Sequence, residues 1–226
     1  MAVEDYLNKG YLTDSLLNFI ATLGWNPTAD REIYNIAELA EMFELDKVNN
    51  AGAKVNFSKL NWLNSHYIRA LPRDKYLELA ATYLNNLTED TALMDRVALL
   101  VKERVEKLSD LPDLTKPYLN PNFKAHPSLI PWKTQTKEQA KEKLEMIKSW
   151  LLELPENAWH DVNQLETFIK NKIMVNVLSN GEILWPLRVS LSGEKQSPGP
   201  FELLSALGTE RSLARLDAAI NVLVQM

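Results

Sequence analysis

Apolar residues recur at three- and four-residue intervals along most of the chain, the spacing that places them on one face of an α-helix. In residues 12–24 the spacing joins Leu16, Leu17, Ile20 and Leu23, and Gly24 closes the helix. The same pattern predicts four more helices in the first half, at residues 36–45, 58–69, 75–84 and 91–108.

The second half continues this pattern after a proline-rich stretch. Residues 109–133 hold five of the eleven prolines and are predicted to be an extended linker or strap. Residues 136–154 form a strong helix with one apolar stripe, which Pro155 stops. Further helices are predicted at 161–175, 200–207 and 209–224, with Asp161 as an N-cap, a turn at 179–181 and Gly208 as a stop.

The fold class that follows is all-α. The chain shows no internal repeat and no convincing period-two alternation of strands. We expect two or three helical subdomains in its 226 residues.

The amino-acid composition excludes several classes of site but does not assign a function. The chain has no cysteine, so a disulfide or a zinc site with thiolate ligands is excluded, and no run of about 20 apolar residues predicts a membrane span. No secretory signal is visible at residues 1–8, so we expect a cytoplasmic protein, with an organelle matrix as the alternative. The net charge of −5 argues against a nucleic-acid partner, but it leaves room for a local basic face.

No set of residues indicates a self-sufficient active site. The seven glycines form no phosphate-binding loop, and the three histidines lie far apart without metal-ligand spacing. His160 next to Asp161 is a weak metal signal, since an N-cap role already accounts for Asp161. We therefore expect no metal, no cofactor and no catalytic residue in this chain.

Arg104 breaks the apolar pattern of the predicted helix 91–108. At about 100° per residue it points into the same arc as Val97, Val101 and Leu108. The guanidinium either extends to water at the helix end or is held for a partner, for which it offers a rigid fork of donors.

Two further segments are unusual. Trp185-Pro186-Leu187-Arg188 is followed shortly by Ser197-Pro198-Gly199-Pro200-Phe201-Glu202. Proline, glycine and an aromatic residue predict a stiff loop beside a helix N-terminus. The loop is either a rigid turn that lines the core or a surface that presents backbone groups to an unstacked base.

These residues also carry a resemblance to bacterial-type glutamyl-tRNA synthetases, in matching order and spacing along essentially the whole chain. The blocks in the first part are Tyr6, Gly10-Tyr11-Leu12, Leu17-Asn18-Phe19, Leu23-Gly24-Trp25, Asp30-Arg31-Glu32-Ile33, Phe57-Ser58-Lys59-Leu60-Asn61-Trp62-Leu63-Asn64 and His66-Tyr67-Ile68-Arg69. Those in the second are Pro186-Leu187-Arg188-Val189, Leu191-Ser192-Gly193 and residues 197–202. Between them, residues 73–180 match mainly in helical pattern.

The resemblance implies a C-terminal fragment. The family's H-I-G-H-type and K-M-S-K-S-type motifs, which bind ATP, are expected upstream of this chain in the full-length parent enzyme. The resemblance therefore places ATP and Mg in the catalytic domain of the parent, and the chain alone should lack ligase activity. Residues 1–72 would form a stem-contact region, and residues 73–134 and 135–226 two halves of a helical anticodon-binding cage. The expected partners are tRNA-Glu and the catalytic domain in cis, in a monomer that has no membrane contact.

The family's anticodon-contacting positions fall on Arg104, Arg188, Ser197, Pro198 and Pro200, where Pro200 replaces the commoner leucine. Lys102 and Lys107 would add to a basic face. Arg211 and Arg215 lie on the predicted polar side of the last helix, where they join that face or are merely solvated. The alternative is a helical scaffold that binds proteins and no RNA.

Overall fold

The predicted all-α class is confirmed by the computed structural model, which describes residues 2–25, 31–48 and 55–224 and contains no strand in these ranges. The helices are α1 (Val3–Asn8), α2 (Thr13–Gly24), α3 (Ile36–Met42), α4 (Phe57–Ala70), α5 (Arg73–Leu84), α6 (Thr91–Val101), α7 (Leu111–Leu119), α8 (Lys137–Leu151), α9 (Val162–Val175), α10 (Asn180–Ser192) and α11 (Pro200–Val224). Short 3-10 turns lie at Leu45–Lys47, Lys102–Arg104, Leu108–Asp110, Pro127–Leu129 and Glu156–Ala158.

Two predicted helices, α8 and α9, begin where a side chain caps the first turn. Thr136 caps α8, where its side chain accepts from the Gln139 amide and Gln139 reaches back to the Thr136 amide. Asp161 caps α9 by accepting from two backbone amides, those of Asn163 and Gln164. These amide donors also hold the pKa of the Asp161 carboxyl below its ordinary value.

The chain divides into two compact units. The first comprises residues 1–87 and 101–114, and the second comprises residues 88–100 and 115–226. The division into subdomains at residues 72/73 and 134/135 stays a prediction.

The core of the first unit lies between α2 and α4. Leu16 and Phe19 of α2 pack with Leu60 and Leu63 of α4 and with Tyr11. The predicted face of α2 is only partly right: Leu17 and Ile20 are exposed, at 44% and 56%, and Phe19 takes the buried position instead. Asp30 of the family's block at residues 30–33 lies outside the described residues.

The core of the second unit forms where α8, α10 and α11 pack together. The predicted stripe of α8 is buried at Ala140, Leu144, Ile147 and Leu151. In α11 the chain leaves helical geometry at Gly208, which has φ +74° and ψ −178°. The predicted break between two helical segments is therefore confirmed.

The prediction of an extended strap over residues 109–133 was wrong, because α7 occupies Leu111–Leu119. Pro112 falls in the first turn of α7, where the absent N–H would have had no partner inside the helix. Pro117 lies inside α7. Proline density alone is therefore a poor sign of extended chain here.

The prediction of a turn at residues 179–181 followed by a loop at 185–188 was also wrong. Ser179 is the N-cap of α10, and Pro186 lies within that helix. Pro186 has no N–H to give to the carbonyl of Glu182. The side chain of Gln135 donates to that carbonyl instead, at 3.2 Å, so a residue about 50 positions away satisfies the backbone group that the proline leaves open.

Candidate nucleic-acid interface

Arg188 lies in α10 and holds the loop that follows this helix. Its guanidinium donates to the Ser197 hydroxyl at 3.0 Å and to the Lys195 carbonyl at 3.0 Å. Its Cζ lies 4.7 Å from the ring centroid of Trp185, so the planar group is stacked as well as bonded. A half-buried arginine fixed in this way presents a pre-oriented fork of donors.

The loop itself brings together three of the residues singled out from the sequence. The Ser197 hydroxyl, which accepts from Arg188, donates to the Pro198 carbonyl at 2.9 Å. Pro200 is the first residue of α11, as predicted. Arg188, Ser197 and Pro198 form the reading cluster, a compact group in which a cation lies beside ordered backbone and a hydroxyl.

Arg104 is placed differently from the prediction. The α-helix ends at Val101, and Arg104 lies in the 3-10 turn Lys102–Arg104, where it is exposed. The geometric argument that a continuous helix would turn Arg104 into the apolar arc was therefore wrong. The anticodon contact that the resemblance implies for Arg104 stays a prediction.

A hydrogen-bonded junction in the first unit holds the segment after this turn. The buried Asn64 side chain accepts from the Leu12 amide at 2.8 Å and donates to the Glu106 carbonyl at 2.6 Å. The Leu108 amide donates to the Gly10 carbonyl at 3.1 Å. These bonds come from residues far away in the sequence, and they account for the chain leaving the helix after Val101.

Lys102 and Lys107 have local partners in the same segment. The Lys102 ammonium donates to the Leu71 carbonyl at 2.7 Å and lies 5.1 Å from the ring centroid of Tyr76. Lys107 pairs with Asp110 at 3.0 Å, and the hydrogen bond to that carboxylate raises the pKa of Lys107. Both lysines therefore stabilise the fold locally, and their contact with RNA stays a prediction.

The expectation that Arg215 lies on the polar side of the last helix was wrong. Arg215 is only 6% exposed and its guanidinium donates to backbone carbonyls. Arg211, one turn earlier, is half-buried and lies 3.9 Å from Asp90. The sequence does carry a signal for the burial of Arg215, because Ser212, Leu216 and Ala219 lie on the same helical arc.

Residues 2–25, 31–48 and 55–224 contain no group of three or more histidine, aspartate or glutamate side chains that could hold a metal ion. None of the helices in those ranges is both long and apolar enough to cross a membrane.

Known families match both parts of the chain. Residues 75–220 match the family described as anticodon binding domain. Residues 1–62 match the family described as tRNA synthetases class I (E and Q), catalytic domain.

The chain is also similar to individual curated proteins and solved structures. A glutamate–tRNA ligase of Clostridium botulinum is 33% identical over 97% of this chain and 45% of that protein, and one of Clostridium kluyveri is 31% identical over the same shares. The structure of a glutamate tRNA ligase from Elizabethkingia meningosepticum matches with a TM-score of 0.81 at 24% identity, over 96% of this chain and 43% of that one, which supports the fold alone. The chain thus spans less than half the length of these relatives.

Proposed function

Because the chain belongs to the anticodon binding domain family and resembles glutamate–tRNA ligases along nearly all of its length, we propose that it recognises the anticodon and stem of tRNA-Glu. The observation that carries this proposal is the reading cluster, which lies inside the matched residues 75–220. Arg188, Ser197 and Pro198 are joined there by direct hydrogen bonds.

The reading cluster suits recognition of an unstacked base. An arginine fork donates in a plane to acceptors on a base edge, and ordered backbone beside it can complete the pattern. The ties from Arg188 to Ser197 and Lys195 orient the guanidinium before RNA arrives, so little conformational freedom is lost on binding. Pro200, at the start of α11, sets the end of this loop and is proposed to contact RNA beside it.

Arg104 is proposed as a second anticodon contact, supported by the family resemblance and by its exposure in the turn Lys102–Arg104. Lys102 and Lys107 flank it and are proposed to lie near the phosphate backbone. Arg104 and Arg188 belong to different compact units, so each is considered separately.

The parent activity is proposed to be that of the glutamate–tRNA ligases to which the chain is similar, the attachment of glutamate to tRNA at the expense of ATP. We assign ATP and Mg to the part of the parent that this chain does not span, since the sequence holds no Gly-rich phosphate loop. The chain alone is then inactive as a ligase. It acts as part of a monomer, in the cytoplasm or an organelle matrix where charged tRNA is used.

The proposed RNA binding can be tested by a filter-binding titration of the chain with tRNA-Glu. The net charge of −5 and a basic face of few residues predict weak binding with a clear salt dependence. Raising the salt from about 50 to about 200 mM should weaken it roughly 20-fold, the effect of about three phosphate contacts. Absence of binding even at the lower salt would contradict the proposal and favour the protein-binding scaffold.

Substitution of Arg104 by glutamine should reduce the preference for tRNA-Glu over a transcript that carries the tRNA-Gln anticodon. The expected loss is about 1–3 kcal/mol, because glutamine cannot reproduce the charged bidentate fork. The measurement compares Kd values for the two transcripts. Glu103→Gln, an exposed neighbour in the same turn, is the matched control and should keep the wild-type preference. An unchanged preference in Arg104→Gln would remove Arg104 from the site.

A further inference from the structure

Arg215 is a buried cation whose charge faces backbone carbonyls. Its guanidinium donates to the carbonyls of Pro117 at 2.8 Å and Tyr118 at 2.9 Å, and also to that of Leu191. Within the described residues no carboxylate forms an ion pair with Arg215. Burial lowers the pKa of its guanidinium to about 10, which still leaves the group charged at neutral pH.

The carbonyls that Arg215 binds belong to the ends of two helices. Pro117 and Tyr118 are in the last turn of α7, and Leu191 is in the last turn of α10. Carbonyls in a last helical turn lack intrahelical donors and carry the negative end of the helix dipole. A single guanidinium therefore donates hydrogen bonds to carbonyls at the C-terminal ends of both α7 and α10, and its positive charge offsets the negative end of each helix dipole.

A ring stacked on Arg215 extends this anchor into the loop after α10. The Arg215 Cζ lies 4.2 Å from the ring centroid of Phe123. The same ring lies against Gly193, which caps α10 with φ +75°. A Cβ on Gly193 would lie 2.5 Å from two atoms of the Phe123 ring, so the close approach needs glycine, and the backbone at the start of the loop is fixed against the ring.

We propose that Arg215 is a positioning residue for the reading cluster. It fixes Leu191 directly and Gly193 through Phe123, and the loop that begins there carries Lys195 and Ser197, which both accept hydrogen bonds from Arg188. The inference rests on the proposed function for its link to RNA. The anchoring of the loop is a separate statement that can be tested without RNA.

The first arm of the test measures the loop itself by limited trypsin digestion of the whole chain. The exposed Lys195 offers a cleavage site in the loop. Arg215→Lys keeps the charge but cannot bridge both helix ends, and Phe123→Leu removes the stacked ring without touching the cation. Both variants should speed cleavage after Lys195 about tenfold, because the loop opens locally more often. Arg211→Lys, one turn away on the same helix, should leave the rate unchanged.

The second arm measures the Kd ratio between tRNA-Glu and a transcript with an altered anticodon. Arg215→Lys and Phe123→Leu should lower this ratio about tenfold, since base reading demands a tightly held fork. Arg211→Lys should keep it. Unchanged cleavage after Lys195 in both variants would overturn the inference, and so would equal weakening of both RNAs with an unchanged ratio. If the wild type binds the two RNAs equally well while both variants are cleaved faster, the proposed function is overturned and the anchoring of the loop by Arg215 stands.

Discussion

Replacement of Gly10 by alanine is expected to lower the free energy of unfolding of the first unit by about 3 kcal/mol or more. Gly10 has φ +80°, and a Cβ there would lie 2.6 Å from the Leu108 amide nitrogen and 2.7 Å from that of Ser109. Both clashes involve backbone, which cannot rotate away. Relief would separate the segments and break the bond from the Leu108 amide to the Gly10 carbonyl.

Urea unfolding followed by tryptophan fluorescence measures this loss. Asn8→Ala is the control, because Asn8 is an exposed residue at the end of α1, two positions from Gly10. Its midpoint should stay close to the wild type. A Gly10→Ala midpoint equal to that of Asn8→Ala would show that the junction between residues 10 and 108 contributes little to the first unit.

The second large effect is expected from Arg188→Met, which should remove about 3 kcal/mol of the preference for the tRNA-Glu anticodon, the upper end for a bidentate contact. Methionine keeps an unbranched apolar stem, but it removes the guanidinium and with it the cation–π contact to the Trp185 ring. It loses the fork and leaves the Lys195 carbonyl and the Ser197 hydroxyl without this donor.

Lys170→Met serves as the control, since it removes one positive charge from the exposed surface of α9, where Lys170 pairs with the carboxylate of Glu166. The Kd values of both variants are compared for tRNA-Glu and the anticodon-altered transcript. If Arg188→Met weakens both RNAs by the same factor as Lys170→Met does, Arg188 acts as a surface charge and not as a reader of bases.

Helices defined by their own sequence could be predicted. In α8 four positions of the predicted apolar stripe are buried, and in α9 the predicted N-cap Asp161 is confirmed, although α8 ends at Leu151 and not at the predicted residue 154. The end of α6 could not be predicted in this way, because Lys102, Glu103 and Arg104 are good helix formers. Bonds from Asn64 and Gly10 to the following segment override that local preference.

The errors at α7 and α10 have a related cause. Both predictions use proline as a sign of extended or looped chain, yet Pro117 and Pro186 lie within helices. The hydrogen bond that Pro186 cannot donate is replaced by one from the Gln135 side chain, which the sequence around Pro186 does not predict. The donor that satisfies the Glu182 carbonyl comes from a tertiary contact, so it can be identified only in the folded structure.

In the candidate site, too, some residues could be identified from the sequence and others could not. The resemblance identified Arg188, Ser197 and Pro198, and the structure joins them by hydrogen bonds. The prediction that Arg215 lies on the polar side of the last helix rests on its spacing of four residues from Arg211. The acceptors of Arg215 come from helix ends about 24 and 97 residues away, and no pattern within α11 reports them.

The most direct test of anticodon recognition is the affinity of the unaltered chain for two transcripts at one salt concentration. One is tRNA-Glu and the other is identical except for its anticodon bases. Preference for tRNA-Glu by about 100-fold or more is predicted, which corresponds to the roughly 3 kcal/mol expected from one well-placed bidentate base contact. Equal affinity for the two transcripts would contradict base-specific reading by this chain.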